Sequence, residues 1–339
     1  LFWRVRLTIP SRFPYTDTLK ILEKWGEGCY FFGNGLDRDI DDLEKMLESE
    51  AADNQTPILS LFAEFPSNPL LRSSDLPRLR ALADKYHFLI VVDDTVGNFV
   101  NVEVLPYADI VVSSLSKIFS GDANVMGGRS VHLYTSSLRD VHVMYSLVLN
   151  PRSPQYVKLR DHMLTNYVDF YFDEDALFME RNSRDFRRRI IDINNHADQV
   201  CELLRSRSVA GGKTDGVIRD VYYPKWQTRE HYNKCLVKGS DGAGFDGGFG
   251  GLFSLTFASM RAAQAFFDAL PCHKGPSLGT NFTLACPYTI LAHFAELPWA
   301  ARFGVEDSLV RVSVGLEDQA TLLRGFEVAL VAAETAHAS

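Results

Sequence analysis

The sequence predicts an α/β chain with a larger domain on a mostly parallel sheet and a smaller α+β domain after it. Two short β-branched runs, Phe88-Leu-Ile-Val-Val-Asp-Asp-Thr95 and Ala108-Asp-Ile-Val-Val-Ser-Ser-Leu-Ser-Lys117, are too brief and too uniformly apolar for surface helices. They read as buried parallel strands ending in polar residues. An amphipathic helix over 76–86 (Leu76, Leu79, Leu82, Ala83, Tyr86) joins a strand at 58–62 to the first run, which makes a βαβ unit with a right-handed crossover. From about residue 211 the pattern changes to short strands and glycine-rich turns (217–223, 250–257, 309–314), with helices over 260–270 and 320–333.

In chain order, the first element is a short helix over 15–24, capped by Thr16 or Asp17, with Leu19, Ile21 and Leu22 on one side. An acidic helix over 39–50 bridges two strands on the outside. The loop Glu64-Phe-Pro-Ser-Asn-Pro69 ends the next strand, and its two prolines present Asn68 from a stiff backbone. After Lys117 come a glycine-bearing turn at Met126-Gly-Gly128 and a strand over 130–134. Residues 161–197 are mostly helical, and the charges of Arg184, Asp185 and Arg187 to Arg189 read as a solvated face. The loop 239–248 has glycines but no strand-then-helix context, so it reads as a hairpin connection and not as a phosphate cradle. The divisions expected are 1–150 for the larger domain, 151–210 for a linking helical region and 211–339 for the smaller domain.

Composition excludes several classes of function. A chain of 339 residues with 46% hydrophobic content buries large cores, and its length suggests two domains. Thirty-five basic against 43 acidic residues leave a net charge of −8, which argues against a nucleic-acid surface. Five scattered cysteines, without a CxxC pair or metal spacing, point to a reducing, cytoplasmic compartment. The nine histidines never fall in an HxxxH or HExxH arrangement, so no metal is expected. No Gly-x-Ser-x-Gly elbow supports a serine hydrolase. No run approaches the roughly 18 apolar residues of a membrane span. The chain opens at Leu1 without an initiator methionine, which leads us to expect a fragment of a longer protein.

Polar groups at the carboxyl ends of buried strands are where α/β sheets bind ligands. Here one strand end delivers Asp93, and its neighbour delivers Ser113, Ser114, Ser116 and Lys117. An acid, a lysine and a hydroxyl cluster suit pyridoxal 5′-phosphate (PLP), which needs an amine for attachment, an anion beside its pyridinium and donors for its phosphate. On spacing alone, the favoured reading is the plainer one, Asp93 as a strand-end cap and Lys117 as a solvated lysine. Arg311 stands mid-strand among apolar neighbours, where a buried guanidinium requires an anionic partner. That partner is an amino-acid carboxylate, which matches its planar fork, or an internal Glu306 or Asp307.

Four phrases widen the argument: Ala63-Glu-Phe-Pro-Ser-Asn-Pro-Leu-Leu-Arg72, Val91-Val-Asp-Asp-Thr95, Ser114-Leu-Ser-Lys117 and Leu309-Val-Arg-Val-Ser-Val-Gly-Leu-Glu-Asp318. In order and interval they resemble the Cys/Met-metabolism PLP enzymes, most closely the fungal-type cystathionine γ-synthases, from Phe13 to the C-terminal helix. The resemblance implies a PLP-dependent transferase of fold type I, aspartate aminotransferase-like. It implies Lys117 as the attachment and proton-shuttling lysine, Asp93 at the ring nitrogen, Ser114 and Ser116 at the phosphate, Asn68 beside the 3-oxygen and Tyr15 over the ring. Arg311 takes the substrate carboxylate, with Thr283 close to it. Read from residues alone, Tyr15 is equally a packing tyrosine and Asn68 an asparagine favoured before proline. Asn281-Phe282 departs from the acidic or small residues of many relatives, where substrate specificity is tuned.

The implied reaction is γ-substitution on an O-acylhomoserine by cysteine to form cystathionine. Open alternatives are a γ-lyase, an O-acylhomoserine sulfhydrylase, or a scaffold without catalysis. The expected partners are small amino-acid substrates and further copies of the chain in a homodimer or homotetramer, without nucleic acid or membrane. Relatives carry a glycine-rich phosphate loop and an inter-subunit arm with Tyr and Arg upstream of the point where this chain begins.

Overall fold

The structure, a computed structural model, describes residues 6–9, 16–24, 28–52, 58–125, 145–168, 171–239 and 244–338. The first part of the chain runs β1 (Arg6–Ile9), α1 (Thr16–Lys24), β2 (Cys29–Phe31), α2 (Asp37–Ala52), β3 (Ile58–Glu64), α3 (Leu76–Tyr86), β4 (Leu89–Asp93), α4 (Asn98–Asn101), β5 (Ile110–Ser114) and β6 (Tyr145–Leu149). Three helices follow, α5 (Tyr156–Asn166), α6 (Asp173–Ser183) and α7 (Phe186–Ser206). The remainder comprises β7 (Ile218–Tyr222), α8 (Arg229–Cys235), β8 (Leu252–Phe257), α9 (Met260–Ala269), β9 (His273–Lys274), β10 (Leu284–Cys286), α10 (Tyr288–His293), α11 (Leu297–Arg302), β11 (Val310–Ser313) and α12 (Gln319–Ala338).

Two sheets result. The first has the order β2-β1-β3-β4-β5-β6 and is parallel except for β6, which runs antiparallel to β5. Its central strand β4 is β-branched and apolar because both faces are covered, Ile90, Val91 and Val92 all being buried. Leu61, Ile90 and Val92 pack with Leu43 and Leu47 of α2 and Leu76, Leu79 and Leu82 of α3 in one core. The crossover helix α3 starts where Asp75 Oδ1 accepts from Arg78 N–H at 3.3 Å, with Pro77 in its first turn, and ends at His87 in the left-handed region. Adjacent parallel strands β3, β4 and β5 thus end on the same side, with Glu64 opposite Asp93 and Asp93 opposite Val112.

The second sheet has the order β7-β8-β11-β10-β9, with β11 at its centre and antiparallel to both neighbours. Phe253, Leu255 and Phe257 of β8 pack against Phe266 of α9, Phe326 of α12 and Val200, Cys201 and Leu204 of α7. The long helix α7 therefore belongs to this core. Its stripe of Phe186, Arg189, Ile190, Ile193, Ala197 and Val200 is buried, so the solvated face expected of this stretch covers Arg187 and Arg188 but not Arg189, which is 3% exposed. The turn at 126–128 and the strand expected over 130–134 lie outside the described residues. Of the loop 239–248, residues 240–243 lie outside the described residues; beyond them Gly247 N–H donates to Val237 O and Gly248 N–H to Asn101 Oδ1. Among the described residues no helix is long and apolar enough to cross a membrane.

Candidate active site

Three strand ends of the first sheet meet the central strand of the second. At the end of β3 the loop 64–69 turns back over β4, with Phe65 N–H donating to Asp93 O at 2.8 Å, and delivers Asn68, which is buried. At the end of β4, Asp93 Oδ1 accepts from Thr95 N–H at 2.9 Å. Burial pushes the Asp93 carboxyl above its ordinary range and the hydrogen bonds from Thr95 pull it back only in part. Thr95 also bridges to β5, its Oγ1 accepting from Ser114 N–H at 2.8 Å. The Ser114 hydroxyl is buried without a partner among the described residues, and Ser116 follows on the next turn, partly buried.

Lys117 lies on that turn, 115–119, where its backbone leaves helical values (φ −88°, ψ −124°). Its Nζ donates to Ser277 Oγ at 3.0 Å. Burial first, and the positive charge of Arg311 second, lower the proton affinity of the amine below that of an ordinary lysine.

Arg311 is buried at the middle of β11, between Ser254 of β8 and Cys286 of β10. Its Nη1 donates to Asn68 Oδ1 at 3.0 Å, its Nη2 to the carbonyls of Pro276 and Ser277, and its guanidinium lies 4.7 Å from the centre of the Tyr288 ring. Tyr288 OH in turn accepts from Asn68 Nδ2 at 3.4 Å. Glu306 pairs with Arg219, and no carboxylate among the described residues forms an ion pair with Arg311. The internal partner considered from sequence is therefore not what holds this cation. Hydrogen-bonding oxygens and an aromatic face keep it buried, with a charge of opposite sign still to be supplied.

The structure brings together Lys117, Asn68 and Arg311, and sets Asp93 and Ser114 on the neighbouring strand ends. It does not bring Thr283 to Arg311. The Thr283 hydroxyl donates to Glu317 Oε2 at 2.8 Å and accepts from Gly315 N–H at 3.0 Å, while Cys286 stands opposite Arg311 in the ladder. The antiparallel register leaves Thr283 just before β10, beside the turn that follows β11. Asn281 is likewise turned away from Arg311, its side chain taken by Arg189 and Asp122. Tyr15 lies outside the described residues.

Two residues were not singled out from sequence. Ser277 reaches Lys117 across 160 positions, and Tyr288 touches both Asn68 and Arg311. The segment carrying Ser277 is held close by Gly279, which has φ +73° and on which a Cβ would stand 2.6 Å from Ile118 N. Gly279 N–H also donates to Ser313 Oγ at 2.8 Å, fixing the segment to β11. No sequence period marks such contacts, because the two sheets that make them are joined only by tertiary packing.

The donor set fits PLP on three observations: an amine of lowered proton affinity, a partly buried acid that pairs with no cation among the described residues, and an orphaned buried hydroxyl on the same edge. Beside Asp93, burial also pushes the Asp94 carboxyl up to about 7, the Ser113 hydroxyl opposing this and Asp93 adding to it. Between the ordinary value of 3.8 and about 7 the folded chain holds a proton that the unfolded chain has lost. This contribution to stability is thus fully present below the lower value and is lost as pH rises through the window. Asp94→Asn is expected to flatten that loss, whose slope is at most about 1.4 kcal/mol per pH unit. Urea midpoints measured across the window check this, and an unchanged slope contradicts it.

Comparison with known proteins places this architecture. Residues 31–331 match the model of the Cys/Met metabolism PLP-dependent enzyme family. A cystathionine γ-synthase-like enzyme of Amanita muscaria, iboG2, is 57% identical over 332 residues, covering 96% of this chain and 50% of that protein. The cystathionine γ-synthase of Neurospora crassa is 46% identical over 324 residues, covering 95% of this chain and 46% of that protein. The crystal structure of cystathionine γ-synthase from Xanthomonas oryzae pv. oryzae with cystathionine superposes with a TM-score of 0.72 at 23% identity, over 98% of this chain and 76% of that one. The likeness to the solved structure shows the fold, that of PLP-dependent γ-synthases and lyases. The chain spans about half the length of the curated relatives it matches. With a family model matched over most of its residues and relatives of this identity, the chain belongs to the Cys/Met metabolism PLP-dependent enzyme family.

Proposed function

We propose that this chain carries the catalytic fold of an enzyme that replaces the acyloxy group of an O-acylhomoserine by cysteine, forming cystathionine. The observation that carries this reading is the meeting of Lys117 and Arg311 on one segment, at Ser277. An amine able to be neutral and a guanidinium able to take a carboxylate there face a single amino-acid substrate. Bound at this edge, PLP supplies an electron sink that stabilises carbanions at the α and β carbons.

The residues of the chain supply the rest. Lys117 would be the attachment amine and, when free, would move protons at the α and β carbons of the substrate. Its lowered proton affinity puts more of it in the neutral form than an ordinary lysine has near neutral pH. Asp93 is the anion for the ring nitrogen, and Ser114 and Ser116 are donors for the phosphate. Asn68, whose Oδ1 is taken by Arg311, has its amide nitrogen toward Tyr288 and would offer it to the 3-oxygen. Arg311 orients the substrate carboxylate. In the net reaction the Cγ–O bond breaks and a Cγ–S bond forms. The acyl group leaves as a carboxylate and the thiol proton is released.

A second reading, the same machinery with another nucleophile or with none, is favoured by the spread of names among relatives. Beside the synthases stand a synthase-like protein of Amanita muscaria and, at 37% identity, an alanine racemase of Aspergillus violaceofuscus. The whole protein supplied with an O-acylhomoserine and cysteine is expected to form cystathionine faster than it releases 2-oxobutanoate from cystathionine alone. The reverse order favours the lyase reading and overturns ours.

We also propose a homodimer or homotetramer and a cytoplasmic setting. Helix α5 buries none of its side chains, and Leu164, Phe172 and Leu177 are more than half exposed, which leaves apolar surface for a second copy. All five cysteines are free thiols, consistent with a reducing compartment.

A further inference from the structure

Arg189 is a buried cation outside the donor set described above. It lies on α7, 3% exposed, and its Nε donates to Asp185 Oδ1 at 2.8 Å. The other nitrogens reach backbone and side-chain oxygens on three separate segments. Nη1 donates to Ile118 O at 3.3 Å and Asn281 Oδ1 at 2.8 Å, and Nη2 to Phe119 O at 2.8 Å, Ser120 O at 3.4 Å and Asn182 O at 2.9 Å. Three of these acceptors are the carbonyls immediately after Lys117. A fourth, Asn281, lies on the segment that begins with Ser277, the hydrogen-bond partner of the Lys117 amine.

The backbone around these contacts is shaped to admit the guanidinium. Gly121 has φ +76°, and a Cβ there would stand 2.3 Å from Asn281 Oδ1 and 2.4 Å from Arg189 Nη1. Asn281 N–H donates to Gly121 O at 2.7 Å, so the two segments are also joined directly beneath the arginine. Burying a guanidinium is costly unless its donors are all met, and an apolar side chain of similar size would fill the same space more cheaply. What the guanidinium offers is a rigid fork of five N–H groups able to fix several carbonyls at once.

We propose that Arg189 is a positioning residue for Lys117: it fixes both the turn that carries the lysine and the segment that presents Ser277 to its amine. A plain structural role would lower stability when Arg189 is replaced and leave the lysine unchanged. A positioning role changes the environment of the amine itself. The inference rests on the reading of Lys117 as the attachment lysine only for its functional meaning, and the test is made without cofactor so that the two stand or fall separately.

The full chain, free of PLP, is labelled with acetic anhydride across neutral to alkaline pH, and acetylation of Lys117 relative to exposed Lys158 is read by peptide mass spectrometry. In the parent, Lys117 is expected to titrate below an ordinary lysine. In Arg189→Met its titration is expected to move up, the neutral-pH labelling of Lys117 falling about tenfold for each pH unit of movement. Val200→Ala, a cavity in the same helix away from the lysine, serves as a control expected to lower stability without moving it. If Arg189→Met does not fold, Arg189→Lys and Asn281→Ala carry the test, each expected to shift the titration in the same direction. A Lys117 titration unmoved in the folded variants, whatever their stability, overturns the proposal. A shifted titration in a protein whose PLP label falls on another lysine upholds the positioning and overturns the proposed function instead.

Discussion

Lys117→Arg is expected to abolish covalent attachment of PLP and to lower turnover of the whole protein by about a thousandfold or more, within the range that a positioned acid–base group contributes. Arginine keeps the positive charge and much of the length, so contacts to Ser277 remain within reach. It cannot give up its proton at any accessible pH, so neither attachment nor proton transfer is open to it. The parent lysine differs in just this respect, since burial and the charge of Arg311 both favour its neutral form. Stopped-flow or steady-state assays together with the absorbance of the PLP-loaded protein check this. Turnover within tenfold of the parent would mean that another base does the work.

Asp93→Asn is expected to separate attachment from turnover. The amide still accepts from Thr95 N–H, which anchors the parent carboxylate, so the strand end keeps its shape. What is lost is the charge proposed to face the ring nitrogen. A hydrogen bond to a charged group contributes about 1.5–3 kcal/mol, so a loss of about tenfold to hundredfold in turnover follows, with Lys117 still labelled. Burial raises the wild-type acid, and among the described residues no cation pairs with it, so the gain from supplying one is large. Unchanged turnover would move the role to Asp94, the next residue, whose carboxyl rises to about 7.

The parts of the site that sequence revealed are those carried by a single element. Asp93 and Lys117 stand at the ends of apolar runs, and a run of that length with both faces covered is a buried parallel strand whatever its neighbours are. Asn68 is presented by a loop, 64–69, whose two prolines are visible in the sequence. Arg311 was conspicuous as a charge inside an apolar strand, and it is buried as expected.

What sequence did not reveal depends on register and helical phase. Thr283 follows a plausible loop, but pairing of Cys286 with Arg311 sets it beyond reach, and nothing in residues 277–286 fixes that register before the sheet is built. Arg189 was hidden by its charged neighbours, although a signal was present. It falls at i+3 from Phe186 and just before Ile190 and Ile193, on the stripe that packs inward. Weighing the helical period above the charge would have placed it in the core. Ser277 and Tyr288 reach their partners only through the packing of one sheet's edge on the other's centre, and no local pattern encodes that.

The measurement that tests the central claim most directly is borohydride reduction of the PLP-loaded whole protein followed by peptide mapping. The account predicts the pyridoxyl group on Lys117, within the peptide that contains Ser114-Leu-Ser-Lys117. A pyridoxyl group on any other lysine, or none after loading, contradicts it.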